Sequence, residues 1–156
     1  MAHHYSATTK WTGNQGAGTS GYKAYERAHL IQVNGKADLL CSSDPAFRGD
    51  KTRHNPEELL VASLSSCHML WYLHLCSDNG IVVVDYIDEA CGTMEENSDG
   101  SGQFIEVILK PKVTVKEKSM VARANELHHK ANEMCFIARS VKFPVRHTPT
   151  ALVQNS

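Results

Sequence analysis

Residues 59–76 constrain this chain more than any other feature, because their apolar side chains fall on nearly every face of a helix. The run opens at Asn55-Pro56-Glu57-Glu58, with Asn as N-cap, Pro at the first helical position and two carboxylates in the positive first turn. It closes at Asp78-Asn79-Gly80, which tolerates a left-handed C-cap. Its length approaches the about 20 residues of a membrane span, but Ser63, Ser65, Ser66, His68 and His74 interrupt it, so a buried helix fits better. In a chain of 156 residues one sheet covers only one side of such a helix. The simplest second cover is another copy of the chain, which predicts an obligate homodimer.

The length allows residues 1–156 one domain and hardly a second core. Before the helix, residues 5–11 and 22–33 carry aromatic and β-branched residues around the Gly-rich turn WTGNQGAGTSG, and Asn34-Gly35 is a hairpin signal. A β-meander is predicted there, followed by the polar loop SSDPAFRGDKTRH. After the helix, 81–86 and 104–109 read as strands joined by the turn EENSDGSG, with 113–115 extending the hairpin past Pro111. Ser119 is placed to cap a second helix in which Val121, Ala124, Leu127, Ala131 and Met134 recur at helical spacing, ending near Cys135. A final strand is predicted at 141–145. The order is that of an α+β domain with segregated sheets.

Sixteen basic and seventeen acidic residues give a net charge of -1, so no global field draws nucleic acid or an anionic membrane, and neither is expected as a partner. The N-terminus carries His3 and His4 but no apolar signal-peptide core, which predicts a cytoplasmic, reducing setting. Five cysteines, Cys41, Cys67, Cys76, Cys91 and Cys135, are an odd number and cannot close a disulfide framework. Cys67 lies on the helical stripe of Leu60, Leu64, Trp71 and Leu75, where a core-filling role is the ordinary one for a cysteine. Cys135 ends the other helix, so two thiols sit on elements expected to pack together, as a peroxidatic and a resolving thiol would. Cys41, Cys76 and Cys91 are assigned to packing.

A reactive thiol needs a fixed cation, and the loop before the helix supplies Arg48 and Arg53, which Glu57 or Glu58 can grip. Ten helical residues separate Glu57 from Cys67, a rise of about 15 Å, so the two meet only if one of them comes from a partner subunit.

The segment NPEELLVASLSSCH at 55–68 resembles the hallmark of the OsmC/Ohr family of thiol peroxidases, in which Asn-Pro-Glu-(Glu/Gln)-Leu opens the central helix and a Cys follows ten residues after the Glu. ANEMCFIARSVKFPV at 131–145 is similar to the family's late helix, second Cys and final strand. The resemblance implies an OsmC-like fold of antiparallel β-sheets wrapped around long central helices in an intertwined homodimer. It implies reduction of organic hydroperoxides or hydrogen peroxide by a Cys pair reset by an external dithiol, with no cofactor and no metal. By position, Cys67 would be the peroxidatic thiol, Cys135 the resolving thiol and Glu57 the carboxylate orienting an activating Arg. AFRGDKTRHNPEE resembles the family's Arg-bearing loop and points to Arg48, with Arg53 and Arg27 as alternatives. The chain departs from the family in Phe136, where many members have Pro after the second Cys, and in His68 after Cys67.

Other chemistries are weaker. His74-Leu75-Cys76 and His128-His129 lack metal-ligand spacing, and the 128–129 pair reads as solvated surface, whereas His68 shares a face with Tyr72. His54 or His147 would have to serve a Cys-His hydrolase, and nothing selects either. The non-enzymatic alternative is an OsmC-like binding or structural protein that keeps the Cys without useful turnover.

Overall fold

The structure is a computed structural model that describes residues 1–155. The chain divides into two compact units, Met1–Leu60 and a second from Val61 onward. The first unit holds the expected meander. Strands β1 (Thr8–Trp11), β2 (His29–Gln32) and β3 (Leu39–Cys41) pair antiparallel in that order. The long β1–β2 connection is tied back where the Trp11 indole donates to the Glu26 carbonyl at 2.8 Å. Gly13 is required there, since a Cβ would lie 1.8 Å from the same carbonyl oxygen. The polar loop after β3 contains a short 3-10 turn, Pro45–Phe47.

Helix α1 (Pro56–Asp78) begins where the sequence predicts. The Asn55 side chain accepts from Glu58 N–H at 2.8 Å and the Glu58 carboxylate accepts from Asn55 N–H at 3.3 Å, a reciprocal capping box. At the other end Ile81 N–H donates to the Cys76 carbonyl and Gly80 N–H to that of Ser77, with Gly80 at φ 70°, which is a Schellman stop.

In the second unit, β4 (Val83–Asp88), β7 (Pro111–Val115) and β9 (Thr150–Val153) form one sheet in the order β4-β7-β9. Strands β5 (Cys91–Glu96), β6 (Gly102–Leu109) and β8 (Val145–His147) form another in the order β5-β6-β8. The turn EENSDGSG therefore joins β5 to β6, not 81–86 to 104–109. The strand 91–96 escaped the sequence reading because five of its six residues are exposed and it shows no apolar alternation. Residues 113–115 do not extend that hairpin: Pro111 opens a strand in the other sheet, paired with β4. The final strand begins at Val145 rather than 141, and β9 follows it unpredicted. Both pair parallel, β8 with β6 and β9 with β7, so the sheets are mixed rather than purely antiparallel.

Helix α2 (Val121–Met134) ends at Cys135 as expected. Ser119 does not cap it, because residues Lys118–Met120 form a 3-10 turn that leads directly into the helix with Met120 at the N-cap position. Tyr72 and Cys76 of α1, Ile81, Val113 and Val115 of the sheet side, and Ala124, Leu127 and Ala131 of α2 make the core. Asp88 ties α1 to the β6–β7 junction, its carboxylate accepting from the Ser65 hydroxyl at 2.5 Å and from Lys110 N–H at 2.6 Å.

The buried stripe of α1 is Leu64, His68, Tyr72 and Cys76, one residue round the helix from the stripe that carries Cys67. Leu64 is thus core, and Leu70 stands 63% exposed on the opposite side. Length and composition alone would let α1 cross a membrane.

Candidate active site

Cys67, half-buried, projects from the middle of α1. Cys135 is fully buried at the end of α2, where the chain leaves the helix in an extended conformation (φ -66°, ψ 111°). Its carbonyl accepts from Arg139 N–H at 3.0 Å and its Sγ from Ala138 N–H at 3.4 Å, which holds the thiol against the 3-10 turn Ala138–Ser140. Burial pushes the Cys135 thiol up to about 11. The Ala138 and Ile137 amides pull the other way, while the neighbouring Cys67 sulfur reinforces the rise. Cys67 is thus near enough to bear on the ionisation of Cys135, whose thiol is protonated at neutral pH. Burial also raises Cys41 and Cys76, consistent with packing roles, and Cys91 is exposed at the start of β5.

Next to Cys67, on the core side of α1, lies a group of aromatic rings. His68 Nε2 and His128 Nδ1 are 3.0 Å apart, with ring planes 3° from parallel. Tyr72 stacks on His128 at 3.9 Å between centroids, and His147 of β8 lies 5.7 Å from His68 and 6.3 Å from His128. One imidazole donates and the other accepts, and because burial keeps both rings neutral they take complementary tautomers. Burial is the main reason that His68 falls to about 4 and His128 to about 3, and neighbouring imidazoles add to it. Burial also lowers His147, whose Nδ1 is buried without a hydrogen-bond partner. The expectation that His128 is solvated surface is wrong: only His129 is exposed, paired with Glu133 at 3.2 Å. The signal was present, since 128 shares the buried face of Ala124, Leu127 and Ala131 at helical spacing. Among the described residues no three His, Cys, Asp or Glu side chains converge as metal ligands.

The cation candidates lie in the first unit. Arg48 is exposed, in the left-handed region at φ 64°, with its guanidinium 6.0 Å from the Tyr22 ring. Arg27 is clasped between Tyr22 and Tyr25, 4.4 and 4.1 Å from their ring centres, and donates to both of their carbonyls. Arg53 pairs with Asp50 at 3.7 Å and leaves one buried nitrogen unpartnered. Glu57 leaves a buried carboxylate oxygen unpartnered and makes no ion pair with these guanidinium groups.

The OsmC-like protein family profile matches residues 49–150, a span that begins just after Arg48 and takes in the end of the loop before α1, both thiols and β8. The chain belongs to the OsmC-like family. A solved OsmC-like protein of unknown function from Vibrio cholerae is 32% identical, superposes with a TM-score of 0.85, and covers 96% of this chain and 100% of its own. An OsmC-like protein from Mycoplasma pneumoniae shares the fold at 12% identity and TM-score 0.74, over 97% of this chain and 99% of its own. So does an organic hydroperoxide resistance protein from Elizabethkingia anophelis, at 17% identity and TM-score 0.68, over 99% and 100%. No curated protein matches the chain. In this OsmC-like chain the mixed α+β architecture agrees with those structures.

Proposed function

We propose that this protein is a Cys-based peroxidase that reduces organic hydroperoxides and, less selectively, hydrogen peroxide. The observation that carries the reading is a half-buried Cys67 close enough to bear on the ionisation of the buried, protonated Cys135. The Cys67 thiolate attacks the distal peroxide oxygen, the O–O bond breaks, and the alkoxide leaves and takes a proton to become the alcohol. Cys67 is then a sulfenic acid. The Cys135 sulfur attacks it, the S–O bond breaks, and the Cys135 proton departs with the hydroxyl as water, leaving the Cys67–Cys135 disulfide. An external dithiol returns both to thiols.

Two roles rest on position in the family motif alone: Arg48 as the cation favouring the Cys67 thiolate, and Glu57 as the carboxylate holding that guanidinium. Glu57 keeps a buried, unpaired oxygen, which fits a partner from a second copy of the chain. A homodimer is also supported by Leu70 at 63% and Phe136 at 67% exposure. Trp71, packed edge-on to Phe136 at 5.5 Å, adds apolar surface suited to a lipophilic hydroperoxide. The setting proposed is the cytoplasm, where a dithiol reductant is maintained.

The test is Cys67→Ser against cumene hydroperoxide with a dithiol reductant. Loss of turnover is expected, and unchanged turnover ends the proposal. The exposed, unpaired Arg48 favours a second reading, an OsmC-like binding or structural protein with little turnover. Trapping of a Cys67 sulfenic acid by stoichiometric peroxide separates the two, since a merely buried thiol does not react quickly.

A further inference from the structure

Cys67 and His68 are consecutive on α1, and His128 lies seven residues, two helical turns, before Cys135 on α2. The two helices run antiparallel. Cys67 lies near Cys135 at the C-terminal end of α2, while at its N-terminal end the Arg123 guanidinium donates to Asn79 Oδ1, just past α1, at 2.9 and 3.3 Å. Between these points the contacts of Tyr72 and Cys76 with Ala124, Leu127 and Ala131 are apolar, and apolar burial has no direction along the helix axis. The His68–His128 hydrogen bond does have direction. It joins two fully buried rings at 3.0 Å in parallel planes, and Tyr72 stacked on His128 fixes the second ring's tilt. A slide of α2 by one residue, about 1.5 Å, would break it. A disulfide is equally intolerant, since the S–S bond of about 2.05 Å demands a narrow range of Cβ placements.

We infer that His68 and His128 are a positioning pair for the Cys67–Cys135 disulfide, their mutual hydrogen bond setting the register of α1 against α2 that keeps the resolving thiol in reach of the peroxidatic one. The rings hydrogen-bond to each other and not to either sulfur. The inference deepens the peroxidase reading and rests on it for its biological use, but the disulfide equilibrium can be measured without peroxide.

The experiment equilibrates the protein, with exposed Cys91 replaced by Ser, against glutathione and its disulfide. The fraction carrying the Cys67–Cys135 bond is read by peptide mass mapping. His128→Phe keeps an aromatic ring on Tyr72 but removes the hydrogen bond, whereas His128→Gln restores a side chain able to donate to or accept from His68. The Phe variant is expected to lower the equilibrium constant for the disulfide about tenfold or more, as small misplacements of reacting groups do. The Gln variant should recover most of that loss. In a Cys135→Ser background, the rate of sulfenic acid formation at Cys67 should be the same with His, Phe or Gln at 128. An unchanged disulfide constant in the Phe variant, equal loss in the Gln and Phe variants, or no Cys67–Cys135 disulfide in the parent protein would each overturn the inference. If the Phe variant loses its cooperative unfolding transition, His68→Phe and His68→Gln make the same comparison from the other side of the bond. A parent that forms the disulfide with glutathione but does not react with peroxide would sink the peroxidase reading and leave the positioning pair standing.

Discussion

Acid should unfold this protein earlier than its carboxylates alone would require, and the His68–His128 pair sets the amount. In the fold, His68 takes a proton only near about 4 and His128 near about 3, against 6.5 for an ordinary histidine. Because the folded values are depressed, the unfolded chain binds more protons between those limits. Stability is therefore full above 6.5 and is lost as pH falls towards the folded values. At pH 5 both rings are still neutral in the fold and both are protonated in the unfolded chain. At about 1.4 kcal/mol per pH unit, each ring then costs about 2 kcal/mol, about 4 kcal/mol for the pair. Full burial of both side chains means that solvent screening does not reduce this figure. Asp50, Asp99 and Glu133, held low by neighbouring hydrogen bonds, release their contributions mainly below about pH 5, outside the window. The assay is urea unfolding at pH 7.5 and pH 5 at one fixed protein concentration. With a slope of about 2 kcal/mol per molar urea, the midpoint should drop by about 2 M. The double variant His68→Leu/His128→Phe should keep nearly the same midpoint at both pH values, apart from a remainder due to His147, which both proteins retain. An equal drop in the double variant would show that the pair is not the source.

Two substitutions test the packing around α1. A Cβ at Gly92 would come within 2.6 Å of the Phe104 ring and 2.7 Å of a Val61 methyl, so Gly92→Ala should destabilise by about 1–3 kcal/mol in chemical unfolding. Ser65→Ala removes the donor that α1 offers to Asp88 while Lys110 N–H remains, and should cost about 1–2 kcal/mol on the same measurement.

Local chemistry was legible where it acts over a few residues. Asn55 and Glu58 cap each other as their spacing requires, Gly80 stops the helix, and Gly35 at φ 75° turns the chain between β2 and β3. The strands of the second half were less legible. Strand 91–96 has too little apolar alternation to announce itself, and the pairing of β8 with β6 and β9 with β7 joins segments far apart in sequence, which no turn signal encodes. The apolar character of α1 identified a central helix, but a helix apolar all round has no periodicity to say which face is buried. The stripe that carries His68 won over the stripe that carries Cys67 because α2 supplies His128 opposite it.

By itself, then, the sequence determined the two helices, both ends of the first, and the family that their motifs indicate, because capping, helical period and motif spacing all act within one segment. Only the tertiary structure decided that the Cys135 thiol is buried and protonated, that His128 is a core residue hydrogen-bonded to His68, and that one Glu57 carboxylate oxygen is buried without a hydrogen-bond partner. Each of these depends on desolvation or on a contact between segments tens of residues apart, and a group's environment is made by whatever the fold packs against it.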